Sequence, residues 1–209
     1  MTAALQGSLL DLQDSPALTP LGGHTQRTRL TDGAWIDLCP NWLTGGVEVF
    51  DELVVRVPWH AERRQMYERV VDVPRLTKFY GERELLPLPL LTQMRDDLSR
   101  YYVAELGEPF RTAGLCLYRG GRDSVAWHAD DRGHGKYRDT MVAILSLGSP
   151  RHLLLRPRGG GASIKRLLHH GDLIVMGGSC QRTWEHAVPK TARPVGPRMS
   201  IQFRPRGVT

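Results

Sequence analysis

Two histidines and one aspartate in this chain have the residue types and spacing of a metal site. One residue separates His128 from Asp130, and His186 follows much later in the chain. Successive side chains of a strand point to opposite faces, so an extended segment would place His128 and Asp130 on one face. A second imidazole from a distant strand would complete three ligands on one side of an octahedron. Such a 2-His-1-carboxylate set leaves room for an oxidant and a co-substrate and is typical of non-haem Fe(II) oxygenases.

The His-x-Asp triplet is weak evidence by itself, because the chain contains a second one. His170-Gly171-Asp172 is followed by the apolar run from Leu173 to Met176. The glycine and this run indicate a turn that enters a buried strand. For His186 alone, a hydrogen-bonded structural histidine is the alternative.

Two arginines near the C-terminus favour the metal site. Residues 198–204, RMSIQFR, alternate polar and apolar side chains, which is the period of a strand. Arg198 and Arg204 therefore face the same way, with Cα atoms about 20 Å apart. If both guanidinium groups lean inward, the gap between them is near the length of a short dicarboxylate, and guanidinium suits carboxylate recognition. A solvated strand face is the alternative.

Five segments in order resemble the AlkB family of Fe(II)/2-oxoglutarate dioxygenases, which remove alkyl groups from nucleobases. The match extends from Leu115 to Arg206 through LCLYRGGRDSVAWHADD, AILSLGSPR, HHGDLIVMGG, TWEHAVPK and GPRMSIQFR. Upstream, PRLTKFYG, from Pro74 to Gly81, resembles the substrate lid of the family's DNA-repair members. An ordinary surface loop is the alternative for this segment.

The resemblance implies a co-substrate site around the iron ligands His128, Asp130 and His186. Arg198 resembles the arginine that pairs with the distal carboxylate of 2-oxoglutarate, and Arg204 the arginine near its keto-acid end. Tyr118 resembles a tyrosine that hydrogen-bonds the co-substrate. Cys116 and Ser200 stand where relatives often have asparagine, although serine can still donate one hydrogen bond. The cofactors implied are Fe(II), 2-oxoglutarate and O2.

The resemblance also implies a pocket for a nucleobase. Asp131 resembles an acidic residue beside the exocyclic amino group of the damaged base, and we predict that it takes part in catalysis. Arg151 resembles an arginine near the base, with a strand-end salt bridge as the alternative. The remaining predicted substrate contacts are Arg75, Lys78, Phe79, Tyr80 and Trp184.

The elements that must position these residues indicate an α+β fold that is mainly β. Helices are predicted over Gly45–Val54 and Leu90–Leu106, and an extended segment over Leu30–Leu38. Short strands separated by Gly and Pro follow, which is typical of an antiparallel sandwich or barrel. They are predicted at Thr112–Tyr118, Thr140–Leu147, His152–Pro157, Ile164–Leu168, Asp172–Met176, Trp184–Val188 and Met199–Arg204. The resemblance makes this core a double-stranded β-helix, or jelly roll, with N-terminal buttressing helices.

Composition agrees with one domain that binds a polyanion. We predict a flexible leader over residues 1–28 and a catalytic domain over 29–209, in which 29–110 form an extension with the lid and 111–209 the β core. The net charge of +6 suits nucleic acid, although a merely basic protein is the alternative. Three cysteines without CxxC spacing indicate neither a disulfide framework nor a zinc knuckle. A monomer in the cytoplasm is expected, with no signal peptide and no membrane contact.

The expected function is oxidative dealkylation of bases such as 1-methyladenine and 3-methylcytosine in DNA, with RNA left open. The reaction would be coupled to the conversion of 2-oxoglutarate to succinate and release formaldehyde. One alternative is a 2-oxoglutarate oxygenase that acts on a protein or small molecule, for which a lid poor in basic residues is expected. Another is a non-catalytic nucleic-acid module. The presence of all three metal-ligand types and both arginines argues against it. The sequence reveals no hairpin that would wedge into a duplex.

Overall fold

Antiparallel strands dominate the computed structural model, which describes residues 15–66 and 69–208. The strands are β1 (Ala17–Leu18), β2 (Gln26–Arg29), β3 (Ala34–Cys39), β4 (Leu43–Thr44), β5 (His60–Met66), β6 (Arg69–Tyr80), β7 (Thr112–Tyr118), β8 (Val125–His128), β9 (Val142–Gly148), β10 (Arg151–Pro157), β11 (Ile164–Leu168), β12 (Leu173–Gly178), β13 (Trp184–Val188) and β14 (Arg198–Arg204). The helices are α1 (Val47–Arg56), α2 (Pro89–Leu106) and α3 (Cys180–Thr183).

Most strands form a large sheet and a small sheet, and β1 and β4 form a separate two-stranded sheet. The large sheet has the order β2-β3-β12-β9-β14-β7-β6-β5, and the small one β11-β10-β13-β8. Strand β14 lies inside the large sheet, hydrogen-bonded to β7 on one side and to β9 on the other. Strand β8 pairs with β13 and, among the described strands, forms an edge of the small sheet.

Alternating side chains give the large sheet two buried faces. On β9, Val142 and Ile144 pack with small-sheet residues such as Leu155. The intervening Ala143 and Leu145 pack in a second cluster with α1 and α2. This pattern explains why β9 is buried throughout its length and apolar at nearly every position. The predicted mainly β class with buttressing helices is confirmed.

The bounds predicted for the two long helices lie within two residues of the observed bounds. Helix α2 begins at Pro89, because proline is well tolerated in the first turn of a helix. It ends before Gly107, which adopts the left-handed conformation with a φ of 74°. Its Tyr102 is buried, whereas Tyr101 is exposed. Among the described residues, no helix combines the length and apolar character needed to span a bilayer.

The predicted strands agree with the structure to within one or two residues. Thr112–Tyr118, Ile164–Leu168 and Trp184–Val188 have the predicted bounds. The segment predicted from Leu30 forms β3 only from Ala34 onwards, because a 3-10 turn occupies Thr31–Gly33.

One prediction about the N-terminal half needs correction. Within the predicted leader, the described residues are ordered, since β1 pairs with β4, β2 pairs with β3 and Leu21 is buried; the first 14 residues lie outside the described part. In the predicted lid, Leu76–Tyr80 of β6 pair with β7, so the alternative of an ordinary surface loop does not apply to this segment. Strands β5 and β6 also form a hairpin, which the sequence did not reveal.

Candidate functional site

A cavity of about 1130 Å³ lies at the end of the core between the two sheets. The predicted site residues that line it are Arg75, Lys78, Phe79, Tyr118, His128, Asp130, His186, Arg198, Ser200 and Arg204. Strands β6, β7 and β14 of the large sheet supply one wall, and β8 and β13 of the small sheet supply the opposite wall. The fold therefore brings the predicted metal and co-substrate residues to one place.

The two histidines are cross-strand neighbours on β8 and β13. Their ring centroids are 4.2 Å apart. Nδ1 of His128 lies 2.9 Å from the carbonyl oxygen of Ala126, so a proton on Nδ1 satisfies that carbonyl and leaves the Nε2 lone pair for a metal. Burial and the neighbouring His128 lower the pKa of His186 to about 3. His186 is thus a neutral imidazole at physiological pH, the form that binds metals.

Asp130 reaches the cavity by a different route from the one predicted. Strand β8 ends at His128, so the two residues do not share the face of a regular strand. Instead, the backbone N–H of Asp130 donates to Oε1 of Gln181 on α3, at 2.9 Å. Burial raises the pKa of Asp130, but the charge of Arg204 and the hydrogen bond that it donates favour the carboxylate, and the net pKa is lowered. The side chain is therefore a carboxylate at neutral pH.

The three predicted ligands adjoin one another without forming a closed coordination set. Among residues 15–66 and 69–208, no three His, Cys, Asp or Glu side chains are arranged to hold a metal ion as they stand. One oxygen of Asp130 instead accepts a hydrogen bond from Nη2 of Arg204, at 3.1 Å. The protonation states and residue types suit Fe(II), so the ligand assignment remains a prediction that the donor chemistry supports.

Arg198 is the strongest sign of an anionic ligand. It is only 1% exposed, and Nη1 has no hydrogen-bond partner. Its Nε donates to Oγ of Ser146, at 3.0 Å, but no carboxylate of the described residues pairs with it. A buried charge without a counter-charge costs several kcal/mol. A bound carboxylate would remove that cost, so the residues present fit one end of 2-oxoglutarate.

The other co-substrate residues lie on the same wall. Tyr118 is the cross-strand partner of Arg198, and Cys116 is that of Ser200. Nε of Arg204 is also buried without a partner. Gln202, which the sequence analysis did not select, lines the cavity between Ser200 and Arg204. The alternation of RMSIQFR was a sufficient signal for it, since positions 198, 200, 202 and 204 share one face.

The predicted aromatic pair of the lid separates onto two faces. Phe79 lines the cavity and is 46% exposed. Tyr80 is 6% exposed and packs in the helix-side core, so it is not available to stack on a base. Lys78 bonds Glu84 at 3.3 Å and lies over the Tyr80 ring. Arg75 donates to the carbonyl oxygen of Ser124, at 3.3 Å.

Three further residues predicted to contact substrate, like Tyr80, do not line the cavity. Asp131 accepts a hydrogen bond from Arg158. Arg151 is 4% exposed and donates to the backbone carbonyls of Gly120, Asp123 and Pro189, so it anchors loops, and its contact with a base stays a prediction. Trp184 is buried in the core between the sheets.

Other residues line the cavity without having been predicted as site residues. Arg132, Lys190 and His60 add basic side chains to its lining. Trp127 also lines it, and the Arg156 guanidinium lies 4.1 Å from the centre of its ring.

The second His-x-Asp triplet is structural, as predicted. Gly171 occupies a turn with a φ of 83°, and β12 begins directly after Asp172. The Asp172 carboxylate accepts hydrogen bonds from the backbone N–H groups of Asn41 and His169. Its carboxylate is therefore used to hold loops together.

Comparison with known proteins supports an oxygenase. The model of the 2OG-Fe(II) oxygenase superfamily matches residues 75–204. The chain is 31% identical to "Alpha-ketoglutarate-dependent dioxygenase alkB homolog 3" of Bos taurus, over 81% of this chain and 67% of that protein. The Homo sapiens protein of the same name is 30% identical, over 76% of this chain and 63% of its own length. "DNA oxidative demethylase ALKBH2" of Arabidopsis thaliana is 29% identical, over 74% and 60%.

A solved structure supports the fold. The structure of OsALKBH1 superposes with a TM-score of 0.63, covering 87% of this chain and 100% of that one. The sequence identity is 14%, so this likeness concerns the jelly-roll architecture alone. The chain spans 60 to 67% of the length of the three curated relatives named above.

Proposed function

The chain belongs to the AlkB family of Fe(II)/2-oxoglutarate dioxygenases, and from this premise we propose that it oxidatively dealkylates N-alkylated nucleobases. Substrates of the 1-methyladenine and 3-methylcytosine type in DNA are proposed, with RNA as a further candidate. Succinate and formaldehyde would be the co-products. The family's cofactors are Fe(II), 2-oxoglutarate and O2.

The observation that carries the proposal is the buried, unpaired guanidinium of Arg198 on the cavity that also contains the His128, Asp130 and His186 side chains. Burial of such a charge without a counter-charge costs several kcal/mol, which a bound carboxylate would offset. We assign the distal carboxylate of 2-oxoglutarate to Arg198 and its keto-acid end to the neighbourhood of Arg204.

We assign the iron to His128, Asp130 and His186. When bound, Fe(II) together with 2-oxoglutarate supplies the oxidation of a C–H bond coupled to decarboxylation. The protein's own part is positional: the arginines orient the co-substrate, and burial of this wall excludes bulk water. Arg204, bonded to Asp130, would link the co-substrate position to the metal position.

The nucleobase is proposed to enter past Phe79. A base inside a duplex cannot reach a buried metal, so the target must be single-stranded or flipped out. Phe79 is exposed on the cavity lining and can stack on a base. Arg75, Arg132 and Lys190 lie on the same lining and can neutralise phosphates.

Assembly and location are further parts of the proposal. Cys39, Cys116 and Cys180 are free thiols, which suits a reducing compartment such as the cytoplasm. We propose a monomer with one catalytic domain, which size-exclusion chromatography with light scattering tests.

Mass spectrometry of methylated oligonucleotides tests the function directly. The protein is incubated with Fe(II), 2-oxoglutarate and ascorbate, together with single-stranded or duplex DNA or RNA that carries 1-methyladenine, 3-methylcytosine or no lesion. We expect loss of the methyl group from the lesion, formation of succinate, and neither in an Arg198→Met variant. If the wild-type protein consumed 2-oxoglutarate but left every oligonucleotide unchanged, a protein or small-molecule substrate would replace the proposal.

A further inference from the structure

We propose that Gln202 is a positioning residue for 2-oxoglutarate, which holds the Ser200 hydroxyl and the Arg204 guanidinium in place along the co-substrate wall. The inference rests on the proposed function, because it concerns the same site. Gln202 is 8% exposed and lines the cavity. A dicarboxylate that extends from Arg198 to Arg204 must pass the two residues between them on this face of β14.

The first contact of Gln202 is with Ser200. Its Nε2 donates to Oγ of Ser200 at 2.5 Å and to the Ser200 carbonyl oxygen at 3.2 Å. A hydroxyl that accepts this hydrogen bond keeps its own proton to donate. The Ser200 hydroxyl also interacts with the Tyr118 phenol. Gln202 therefore fixes which way Ser200 can donate, towards Tyr118 and the co-substrate position.

The second contact is a slot that Gln202 shares with Arg204. Gly114, the cross-strand partner of Gln202, has no side chain to fill the space above it. A Cβ there would lie 2.9 Å from Oε1 of Gln202 and 2.8 Å from Nη1 of Arg204. Nη2 of Arg204 also bonds Asp130. The ends of the Gln202 and Arg204 side chains thus share the space that Gly114 leaves open, and Asp130 holds the guanidinium at its other nitrogen.

The amide oxygen of Gln202 is only weakly paired. It accepts from Sγ of Cys116, at 3.9 Å, which is a weak donor. A nearly buried carboxamide is costly unless its polar atoms are paired. Core filling alone would favour an apolar side chain at this position, so the amide is better explained by the orientation of Ser200 and Arg204.

Direct binding measurements separate this role from catalysis. The dissociation constant of 2-oxoglutarate is measured calorimetrically on the Mn(II)-loaded protein, which does not turn over, for the wild type, Gln202→Leu, Ser200→Ala and the double variant. We expect Gln202→Leu to weaken binding about tenfold, the size of one hydrogen bond to a charged ligand, because Ser200 would no longer be oriented to donate it. If Gln202 acts partly through Ser200, the double variant must bind more tightly than the product of the two single effects predicts.

Two further variants test the slot. Gly114→Ala pushes only the flexible ends of two side chains, so we expect weaker 2-oxoglutarate binding with a melting temperature close to that of the wild type. Gly22→Ala is the matched control, because an added Cβ there meets nothing within 4 Å, and its binding should be unchanged. Glutarate, which lacks the keto oxygen, shows whether the loss concerns the keto-acid end.

Each result bears on the inference. Unchanged affinity in Gln202→Leu, strictly additive effects with Ser200→Ala, or unchanged affinity in Gly114→Ala would overturn it, and the proposed function would stand. If Gln202→Leu does not fold, Gly114→Ala decides alone. Wild-type protein that binds no 2-oxoglutarate would overturn both the inference and the proposed function.

Discussion

Replacing Arg198 by methionine should leave the ligand-free protein at least as stable as the wild type while it destroys co-substrate binding. Methionine has a similar length and no charge. The change removes the bond to Ser146, about 1 kcal/mol, and a cation–π contact with Tyr118, about 0.5–1 kcal/mol. Against this, it removes the cost of burying an unpaired ion, which is several kcal/mol. The free energy of unfolding should therefore be unchanged or higher.

The effect on binding has the opposite sign. Two charge-assisted hydrogen bonds to a carboxylate contribute about 3–6 kcal/mol together, so Arg198→Met should raise the dissociation constant of 2-oxoglutarate at least about 100-fold. Urea denaturation without metal or co-substrate measures the first effect, and calorimetry on the Mn(II) form measures the second. Arg198→Lys keeps the charge but loses the fork and should bind with intermediate affinity. A variant that was much less stable yet bound 2-oxoglutarate normally would refute the assignment of Arg198 as a ligand-binding residue.

Three other changes test the remaining assignments. His186→Ala should abolish calorimetric Mn(II) binding with the circular dichroism spectrum retained; wild-type metal affinity would exclude His186 as a ligand. Phe79→Ala should slow turnover of a methylated oligonucleotide without changing the melting temperature, whereas Tyr80→Ala should lower the melting temperature because Tyr80 is buried; the reverse pattern would contradict the separation of the two rings. Arg151→Met should lower the free energy of unfolding by roughly 3 kcal/mol, because three backbone carbonyls lose a charged donor, and an unchanged denaturation midpoint would argue against this anchoring role.

Local periodicity was enough to predict much of the co-substrate wall. The alternation of RMSIQFR puts Arg198 and Arg204 on one face whatever the neighbouring strands are. The same rule failed for Asp130, because β8 ends at His128 and a side chain from α3 positions the aspartate. That contact joins residues far apart in the chain, so no local pattern encodes it.

The base side of the cavity was harder to predict for a related reason. Phe79 and Tyr80 are adjacent aromatics, and only the pairing of β6 with β7 decides which of them faces the cavity. Strand β5, with the sequence HAERRQM, lacks the apolar alternation that identifies a strand, so the hairpin was missed. Arg151 was assigned to the base from the family resemblance alone. The sequence cannot reveal that it donates to carbonyls of two distant loops.

The place of each site residue in its sheet also sets how easily that part of the site can open. Strand β14, with both arginines, is bonded on both sides inside the large sheet, so its amide hydrogens should exchange with solvent only when the whole domain unfolds. Strand β8, with His128, is short and has one neighbour, and a small local opening is enough to free it. The co-substrate wall should thus open only with global unfolding, whereas the wall that carries His128 can open locally while the rest of the domain stays folded.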